Sequence, residues 1–397
     1  MSDSKSCRDF VAPHIAVLPK SGIRFFFDLV NTMSDVISLG IGEPDFVSPW
    51  SVCEAAMYSL ERGRTCYTSN LGLMALRQAI CDYLEQEFGV KYDPRNECLV
   101  TVGVSEAFDL AIRAITSPGD EIIYHEPCYV SYGTEIKMAH GVAVPVNTLE
   151  KNLFALDPAD LEKAVTPRTR AIILNFPCNP TGAVLTPEQM RDIAKIAVKY
   201  DLAVIADHIY SELHYDDEPM RTVAALPGMR ERTIFLHGFS KAFAMTGFRI
   251  GYACGPNRIV DAMMKIHQYA MLCAPTTAQY AAVDALKYAR PDMKRMVAEY
   301  KARRNVIVSR LNGMGLSCFN PDGAFYVFPN ITSTGLSSQD FAVQLLQAKH
   351  VAVVPGSAFG ACGEGYVRCS YATSLEDIRT AMDRMEEFVN ELKAKKT

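Results

Sequence analysis

The sequence lacks the features that mark secreted, metal-binding and membrane-spanning proteins. Its 12 cysteines are scattered without a C-x-x-C pair, and its histidines form no cluster at metal-ligand spacing, so neither a disulfide framework nor a zinc site is predicted. No apolar run approaches the length of a membrane span, and the first ten residues are polar, without the apolar centre of a signal peptide. We therefore expect reduced thiols, no metal ion, no membrane association and a cytoplasmic location.

Charge is limited as well. Charged residues make up 21% of the chain, the formal net charge is −5, and the one basic block is the short end at residues 393–396. That block suits the C-terminal end of a helix dipole better than a nucleic-acid surface, so nucleic acid is not an expected partner. With 49% hydrophobic content in 397 residues, the chain can bury a large core, and we expect two domains.

What the sequence does contain is an alternation of strand and helix patterns. Residues 171–174 and 202–207 are apolar runs typical of buried strands. Between them, Thr186 is a predicted helix N-cap, Pro187 suits the first helical position and Gln189 completes a capping box. Units of this kind recur over residues 47–290 and predict an α/β fold with a mainly parallel, helix-covered sheet.

The remainder of the chain follows a different pattern. A long charged helical region spans residues 291–311, strands are predicted at residues 324–328 and 351–354, and a final helix is capped by Ser374 with Asp377 at its third position. We assign this region to a smaller α+β domain completed by the N-terminal part of the chain. The predicted division is an N-terminal arm at residues 1–16, a small domain at 17–46 with 291–397, and a large domain at 47–290.

One lysine lies among small and apolar residues, in the run H-G-F-S-K-A-F-A-M-T-G-F-R-I-G at residues 237–251. An amine in such surroundings is disfavoured as the cation, so the neutral form that attacks carbonyls becomes accessible near neutral pH. Lys241 is therefore a candidate Schiff-base residue. Taken alone, it would be explained more simply as a lysine whose stem is buried and whose ammonium group reaches solvent.

Three other motifs adjoin predicted strands, at the edge where ligands bind in open α/β sheets. Asp207 ends the strand at residues 202–207, and N-F-P-C-N-P-T-G at residues 175–182 follows the strand before it. Residues 99–107 predict a strand, a glycine turn and a helix start, whose free backbone N–H groups form an anion site. Separately, these motifs would be a helix N-cap, a good turn sequence and a capped core helix.

Arg368 belongs to a segment with strand alternation. In residues 365–371 it falls on the face opposite to the apolar side chains Val367, Cys369 and Tyr371. An isolated arginine would still be assigned to the surface, and an isolated Tyr129 to the core. Neither residue defines a site by itself.

Together these motifs resemble those of the class I/II aminotransferases of subgroup Iγ, enzymes that depend on pyridoxal 5′-phosphate. The lysine run matches the signature S-K-x-x-x-[MG]-[TP]-G-x-R-x-G, and the turn matches N-x-P-x-N-P-T-G. Further matching segments at residues 21–24, 38–46, 67–72 and 353–360 extend the resemblance over nearly the whole chain. The resemblance implies the fold-type I architecture of pyridoxal-phosphate-dependent transferases.

The resemblance also implies two catalytic residues and a dimer. Lys241 would carry the cofactor and move the proton of the substrate Cα. Asp207 would keep the pyridine nitrogen protonated, so that the ring can accept electrons. Tyr67 would reach the cofactor phosphate of a neighbouring subunit, which implies a homodimer with shared active sites.

Further contacts are implied for the cofactor and for the substrate. Besides the two catalytic residues, the implied cofactor ligands are Tyr67, Val104, Ser105, Tyr129, Asn179, Tyr210, Ser240 and Arg249. Among them, Tyr129 would stack on the ring, while Asn179 and Tyr210 would bond to its oxygen O3′. The substrate α-carboxylate would be bound by Arg368, with Asn179 and the Gly42 backbone closing over the same group.

Two positions depart from the family pattern. His208 stands where glutamate is usual, and Phe248 stands where tryptophan is usual. By strand alternation His208 faces away from Asp207, so we expect it to lie beside the site rather than in it.

These observations predict an aminotransferase that moves the amino group of an amino acid to a 2-oxo acid, such as 2-oxoglutarate, by a ping-pong mechanism. Residues 177–186 resemble aromatic-amino-acid aminotransferases, and Phe25, Phe26 and Phe27 would lie near the entrance, which favours an aromatic donor. Two alternatives keep the same residues: an aminotransferase for aspartate or a diaminopimelate-type substrate, and a carbon–sulfur β-lyase of the same fold. Regulators that use this fold as a ligand sensor carry a DNA-binding domain ahead of it, for which motifs beginning at residue 21 leave no room.

Overall fold

The computed structural model describes residues 10–18, 33–216 and 221–394. The strands are β1 Ile37–Ser38, β2 Cys98–Thr101, β3 Glu121–Glu126, β4 Val142–Asn147, β5 Thr169–Asn175, β6 Ala203–Asp207, β7 Thr233–Gly238, β8 Gly251–Cys254, β9 Tyr326–Val327, β10 Val351–Ala352, β11 Val354–Pro355 and β12 Val367–Ser370. The helices are α1 Pro13–Ala16, α2 Trp50–Glu61, α3 Met74–Phe88, α4 Gly103–Ile115, α5 Ser131–Met138, α6 Pro158–Lys163, α7 Pro187–Lys199, α8 Asn257–Ala270, α9 Thr276–Tyr288, α10 Arg290–Gly313, α11 Ser338–Lys349 and α12 Leu375–Ala394. The motif at residues 21–24 and the side chains of Phe25, Phe26 and Phe27 lie outside the described residues.

The central sheet has the strand order β2-β8-β7-β6-β5-β3-β4. From β7 to β4 all neighbours are parallel. Strand β8 runs antiparallel to both β7 and β2. The sheet is therefore mainly parallel, and the predicted α/β fold is confirmed.

Both faces of this sheet are covered by helices. Ile205 and Ile234 are buried in the cluster formed with α4 and α8, and Ile172 and Val204 are buried in a second cluster with α7 on the other face. Because successive side chains of a strand point to opposite faces, a sheet that is covered twice requires apolar residues at every position. This requirement explains the uninterrupted apolar runs in the sequence.

The predicted helix ends agree with the structure. Thr186 Oγ1 accepts from the Gln189 backbone N–H at 3.2 Å, and Gln189 Oε1 accepts from the Thr186 N–H at 2.9 Å, which confirms the capping box at the start of α7. Ser374 Oγ accepts from the Asp377 N–H at 3.0 Å before α12. The long charged region is α10, one helix of 24 residues.

Two smaller sheets bring the ends of the chain together. β1 pairs in parallel with β10, and β11-β12-β9 form an antiparallel sheet. The strand predicted at residues 351–354 is divided, because residues 351–352 bond to the segment around β1 while residues 354–355 bond to β12. The strand predicted at residues 324–328 is shorter than expected, since only Tyr326 and Val327 pair with β12.

Candidate active site

The candidate site lies where the central strands end. Asn175 and Asp207 are register partners at the carboxyl ends of β5 and β6. Gly238, which ends β7, and Thr101, which ends β2, both pair with Gly251 at the start of β8. Because β8 is reversed, its first residue lies at the same edge as the last residues of its neighbours. A cleft of about 770 Å³ opens at this edge, the position at which α/β sheets bind ligands.

The structure brings all but one of the predicted site residues into the wall of this cleft. They are Gly42, Val104, Ser105, Tyr129, Asn179, Asp207, Tyr210, Ser240, Lys241, Arg249 and Arg368. The exception is Tyr67, whose side chain is 80% exposed and lies outside the cleft wall. Its predicted contact with a neighbouring subunit stays a prediction.

Lys241 lies in the connection from β7 to β8, where it is half-buried. Its Nζ donates a hydrogen bond to the carbonyl oxygen of Gly42 at 2.7 Å. Burial lowers the pKa of this amine to about 8, although the carboxylate of Glu43 acts in the opposite direction. At pH 7 about a tenth of such an amine is neutral, whereas the neutral fraction of an ordinary lysine is below about a thousandth. Lys241 can therefore act as a nucleophile and as a base.

Asp207 is a buried carboxylate whose two oxygens both have donors. Tyr132 donates its hydroxyl to Oδ2 at 2.7 Å, and the Ile209 backbone N–H donates to Oδ1 at 3.0 Å. Burial raises the pKa of this carboxyl group, and the two hydrogen bonds and His237 oppose that rise. The carboxylate is held in one orientation in the cleft wall, where it suits a positively charged partner.

His208, the next residue, lies outside the cleft wall as expected. Its ring nitrogens bond to Ser211 Oγ at 2.9 Å and to Thr222 Oγ1 at 3.0 Å, and its ring stacks on Phe235 with centroids 4.3 Å apart. Burial lowers its pKa to about 3. A neutral, fully bonded imidazole in this position holds the chain after β6 together and does not enter the site.

Arg368, on β12, is buried in the wall of the cleft. Its Nη1 donates to Asn179 Oδ1 at 2.9 Å and its Nη2 to the Gly40 carbonyl at 2.6 Å. Its guanidinium lies between the rings of Tyr326 and Phe359, at 4.5 and 4.9 Å from their centroids. The buried Nε has no partner among the described residues. A buried donor without a partner costs free energy, so this arginine suits an anionic ligand that completes its hydrogen bonds.

A second donor set lies at the N-terminus of α4, which has no side-chain cap. Gly103 has φ +76°, and a Cβ there would come within 2.9 Å of the Arg249 guanidinium. A Cβ on Gly251 would lie 2.6 Å from the Gly103 carbonyl carbon. Gly103 thus leaves room for Arg249 at the helix end, and Gly251 lets the start of β8 pack against the same turn. Val104 and Ser105 line the cleft beside them. Backbone N–H groups, a guanidinium and a helix dipole together suit a phosphate.

Several residues of the cleft wall were not predicted: Glu43, Phe108, Val130, Ser131, Tyr132, Asn175, Ile209, Thr246 and Tyr326. Some of them lie inside the motifs that carried the resemblance, and their position at strand ends was an available signal. Tyr132 and Tyr326 gave none, because a tyrosine in an apolar helix or strand pattern usually belongs to the core.

The described residues carry neither a metal site nor a membrane span. Within residues 10–18, 33–216 and 221–394, no group of three or more His, Cys, Asp and Glu side chains could hold a metal ion. No helix in the same ranges is long and apolar enough to cross a bilayer. The donor set instead fits pyridoxal 5′-phosphate, because phosphate donors, a carbonyl-attacking amine and a buried acid surround one cleft.

Comparison with known proteins supports the same assignment. Residues 34–385 match the model of the family described as aminotransferase class I and II. The chain is 52% identical over 381 residues to the putative aminotransferase YugH of Bacillus subtilis, covering 96% of this chain and 98% of that protein. It is 46% identical over 375 residues to an aspartate aminotransferase of Pyrococcus abyssi, covering 94% and 96%.

A solved structure matches equally well. The aromatic aminotransferase from Pyrococcus horikoshii is 46% identical, with a TM-score of 0.89 over 93% of this chain and 99% of that one. Family, relatives and fold therefore agree over nearly the whole length. The chain belongs to the class I and II aminotransferases and is a pyridoxal-phosphate-dependent aminotransferase.

Proposed function

We propose that this aminotransferase takes the amino group of an aromatic amino acid and transfers it to a 2-oxo acid such as 2-oxoglutarate by a ping-pong mechanism. The observation that carries the reaction is that Lys241, Asp207 and Arg368 line one cleft. The aromatic donor is supported by a similar protein described as an aromatic aminotransferase and by apolar rings such as Phe108 in the cleft wall. A relative described as an aspartate aminotransferase keeps the acidic donor as the second candidate.

We propose that the cofactor lies across the cleft with its phosphate at the start of α4. Arg249, Ser240 and the backbone N–H groups of Val104 and Ser105 would hold the phosphate, because all of them are donors. When bound, the cofactor supplies an electron sink for the pair left after the substrate Cα loses its proton.

The ring end of the cofactor would be fixed by four other side chains. Asp207 would keep the ring nitrogen protonated, since its carboxylate already has fixed donors on both oxygens. Tyr129 would cover one face of the ring. Asn179 and Tyr210 would donate to the ring oxygen, and both are buried in the cleft wall.

Lys241 would perform two tasks in turn. As a neutral amine it would hold the cofactor covalently, and when Nζ is free it would accept the proton of the substrate Cα and later return one. A pKa of about 8 supports both tasks, because a base works best when its pKa lies near the operating pH.

Arg368 would bind the substrate α-carboxylate and so fix the position of Cα. Its unpartnered Nε supports this role, because a carboxylate would accept from it. Asn179 and the Gly42 backbone would close over the same group. Since amino acids and 2-oxo acids share this carboxylate, one arginine would serve both half-reactions.

The assembly, domains and compartment are part of the same proposal. An exposed Tyr67 supports a homodimer in which this residue reaches the partner's phosphate site. The pairing of β1 with β10 supports a small domain built from residues 17–46 and 291–397, beside a large domain at residues 47–290 and an N-terminal arm at 1–16. Free cysteines throughout the described ranges support the cytoplasm.

A panel of amino donors assayed with 2-oxoglutarate tests the substrate. Phenylalanine or tyrosine should give the highest kcat/KM, and higher values for aspartate or diaminopimelate derivatives would overturn the aromatic proposal. Product analysis tests the reaction itself. A carbon–sulfur β-lyase releases ammonia and pyruvate from a cysteine conjugate, whereas an aminotransferase transfers the amino group of the substrate to the 2-oxo acid.

A further inference from the structure

Tyr326 touches three parts of the cleft that the proposed function assigns to different tasks. It lies on β9, is fully buried and lines the cleft. Its hydroxyl is 2.8 Å from the hydroxyl of Tyr210, and the Arg368 guanidinium lies over its ring, 4.5 Å from the ring centroid. A Cβ on Gly42 would lie 2.6 Å from its hydroxyl oxygen. One side chain thus adjoins the ring-oxygen donor, the carboxylate arginine and the glycine segment.

The direction of the hydrogen bond between the two tyrosines follows from counting protons. Each hydroxyl carries one proton, and burial raises the pKa of both phenols, so both stay protonated. When Tyr210 donates its proton to a ring oxygen, it can only accept from Tyr326. Hydrogen bonds in such a chain polarise one another, so the Tyr326 hydroxyl makes Tyr210 a better donor.

The ring of Tyr326 acts on Arg368. A guanidinium over an aromatic face is attracted to the ring, and this attraction is stronger at a buried site than at an exposed one. Ser370, two residues after the arginine on β12, is the register partner of Tyr326. The pairing of β9 with β12 therefore fixes the Tyr326 ring beside the arginine, so the backbone determines where the guanidinium contacts the ring.

We propose that Tyr326 is a positioning residue with two separable effects. Its hydroxyl strengthens Tyr210 as a hydrogen-bond donor, and its ring holds the Arg368 guanidinium in position to bind a carboxylate. The inference rests on the proposed function. It assigns no bond-making step to Tyr326, which acts through its two neighbours.

Two substitutions separate the effects in the holoenzyme. Tyr326→Phe removes the hydroxyl and keeps the ring, whereas Tyr326→Leu removes both. The first readout is the pH midpoint of the visible cofactor band without substrate. The second is the Kd of a non-reacting carboxylate, 3-phenylpropionate or succinate, whichever binds the wild-type enzyme more tightly. Tyr371→Phe is the matched control, because Tyr371 is fully buried in the same region and bonds to Tyr215 and Ala324 outside the cleft.

The two readouts should respond differently. Tyr326→Phe should raise the pH midpoint by about half a unit, since a weaker donor leaves the ring oxygen more basic, and should change the carboxylate Kd by less than about twofold. Tyr326→Leu should also raise the pH midpoint, and it should raise the Kd of the carboxylate by about tenfold. Tyr371→Phe should move neither readout.

Each contrary result rejects a defined part of the inference. If the pH midpoint of Tyr326→Phe equals that of the Tyr371→Phe control, the proposed effect of the hydroxyl is wrong. If the carboxylate Kd of Tyr326→Leu is unchanged, the proposed positioning of Arg368 by the ring is wrong. A wild-type protein without a visible cofactor band would instead reject the proposed function, so the two failures are distinguishable.

Discussion

Replacing Arg368 by methionine tests the central claim about substrate binding. The variant keeps an unbranched apolar stem and removes the charge and every donor. Removing one partner of a buried, hydrogen-bonded charge pair costs about 2–5 kcal/mol. The variant also leaves the acceptors Asn179 Oδ1 and Gly40 O, now bonded to Arg368, facing the substrate carboxylate. We therefore expect the upper part of that range, about 3.5–5 kcal/mol, which is a loss of roughly 400- to 5,000-fold in kcat/KM.

Arg368→Lys should fall between this variant and the wild type. An ammonium group keeps the charge but has no planar fork, so it cannot satisfy Asn179, Gly40 and the substrate at once in the geometry that the guanidinium provides. Losing one charge-assisted hydrogen bond corresponds to about 1.5–3 kcal/mol, or roughly 10- to 150-fold in kcat/KM.

The assay is single-turnover absorbance of each half-reaction, with amino acid and with 2-oxo acid separately. Both half-reactions should slow by the same factor, because both substrates carry the α-carboxylate. Arg304→Met is the control, since Arg304 is also buried and bonds to the Pro321 carbonyl at 2.9 Å away from the cleft wall. It should lower the unfolding temperature and leave kcat/KM within about twofold. An Arg368→Met enzyme that retains kcat/KM within tenfold, or that loses only one half-reaction, would show that Arg368 does not bind the α-carboxylate of both substrates.

Three further outcomes are expected. Lys241→Ala should abolish turnover, and cofactor capture by the free wild-type protein should accelerate as pH rises through about 8. Borohydride reduction followed by peptide mapping of the wild type should locate the cofactor on Lys241, and cofactor on another lysine would contradict the assignment. Asp207→Ala should lose about 3–5 kcal/mol of transition-state stabilisation, whereas His208→Ala should mainly lower the unfolding temperature, and equal losses of kcat would count against the difference in position. Mixing inactive Tyr67→Ala and Lys241→Ala proteins should restore activity through hybrid dimers if subunits exchange, and a fully active monomer in sedimentation would oppose a shared site.

Much of the sheet could be predicted from the sequence because its strands are buried on both faces. Ile172 and Val204 must be apolar on one side, as Ile205 must be on the other, and this leaves a continuous run that periodicity detects. Short strands gave a weaker signal. β10 and β11 each have two residues, and nothing in one apolar run states that its two halves pair with different partners.

The cleft was predictable where chemistry and position coincide in the sequence. Asp207 ends β6 and Lys241 lies three residues after the end of β7, so the edge of the sheet determines where they meet. Tyr132 and Tyr326 reach the cleft from α5 and β9 through tertiary packing. Their hydroxyl contacts with Asp207 and Tyr210 depend on the relative placement of distant elements, which local patterns do not encode.

The reversed direction of β8 determines how the two ends of the cofactor site come together during folding. The chain leaves the sheet at Gly238 and returns at Gly251 on the same edge. A parallel neighbour would require a crossover that returns the chain to the opposite edge of the sheet, usually through a helix. In this chain one connection of 12 residues, 239–250, carries both groups and returns to the same edge of the sheet, so no crossover helix separates them. We expect the Lys241 amine and the Arg249 guanidinium to be brought together early in folding, as β7 pairs with β8. Arg368 joins them only through slower, long-range contacts.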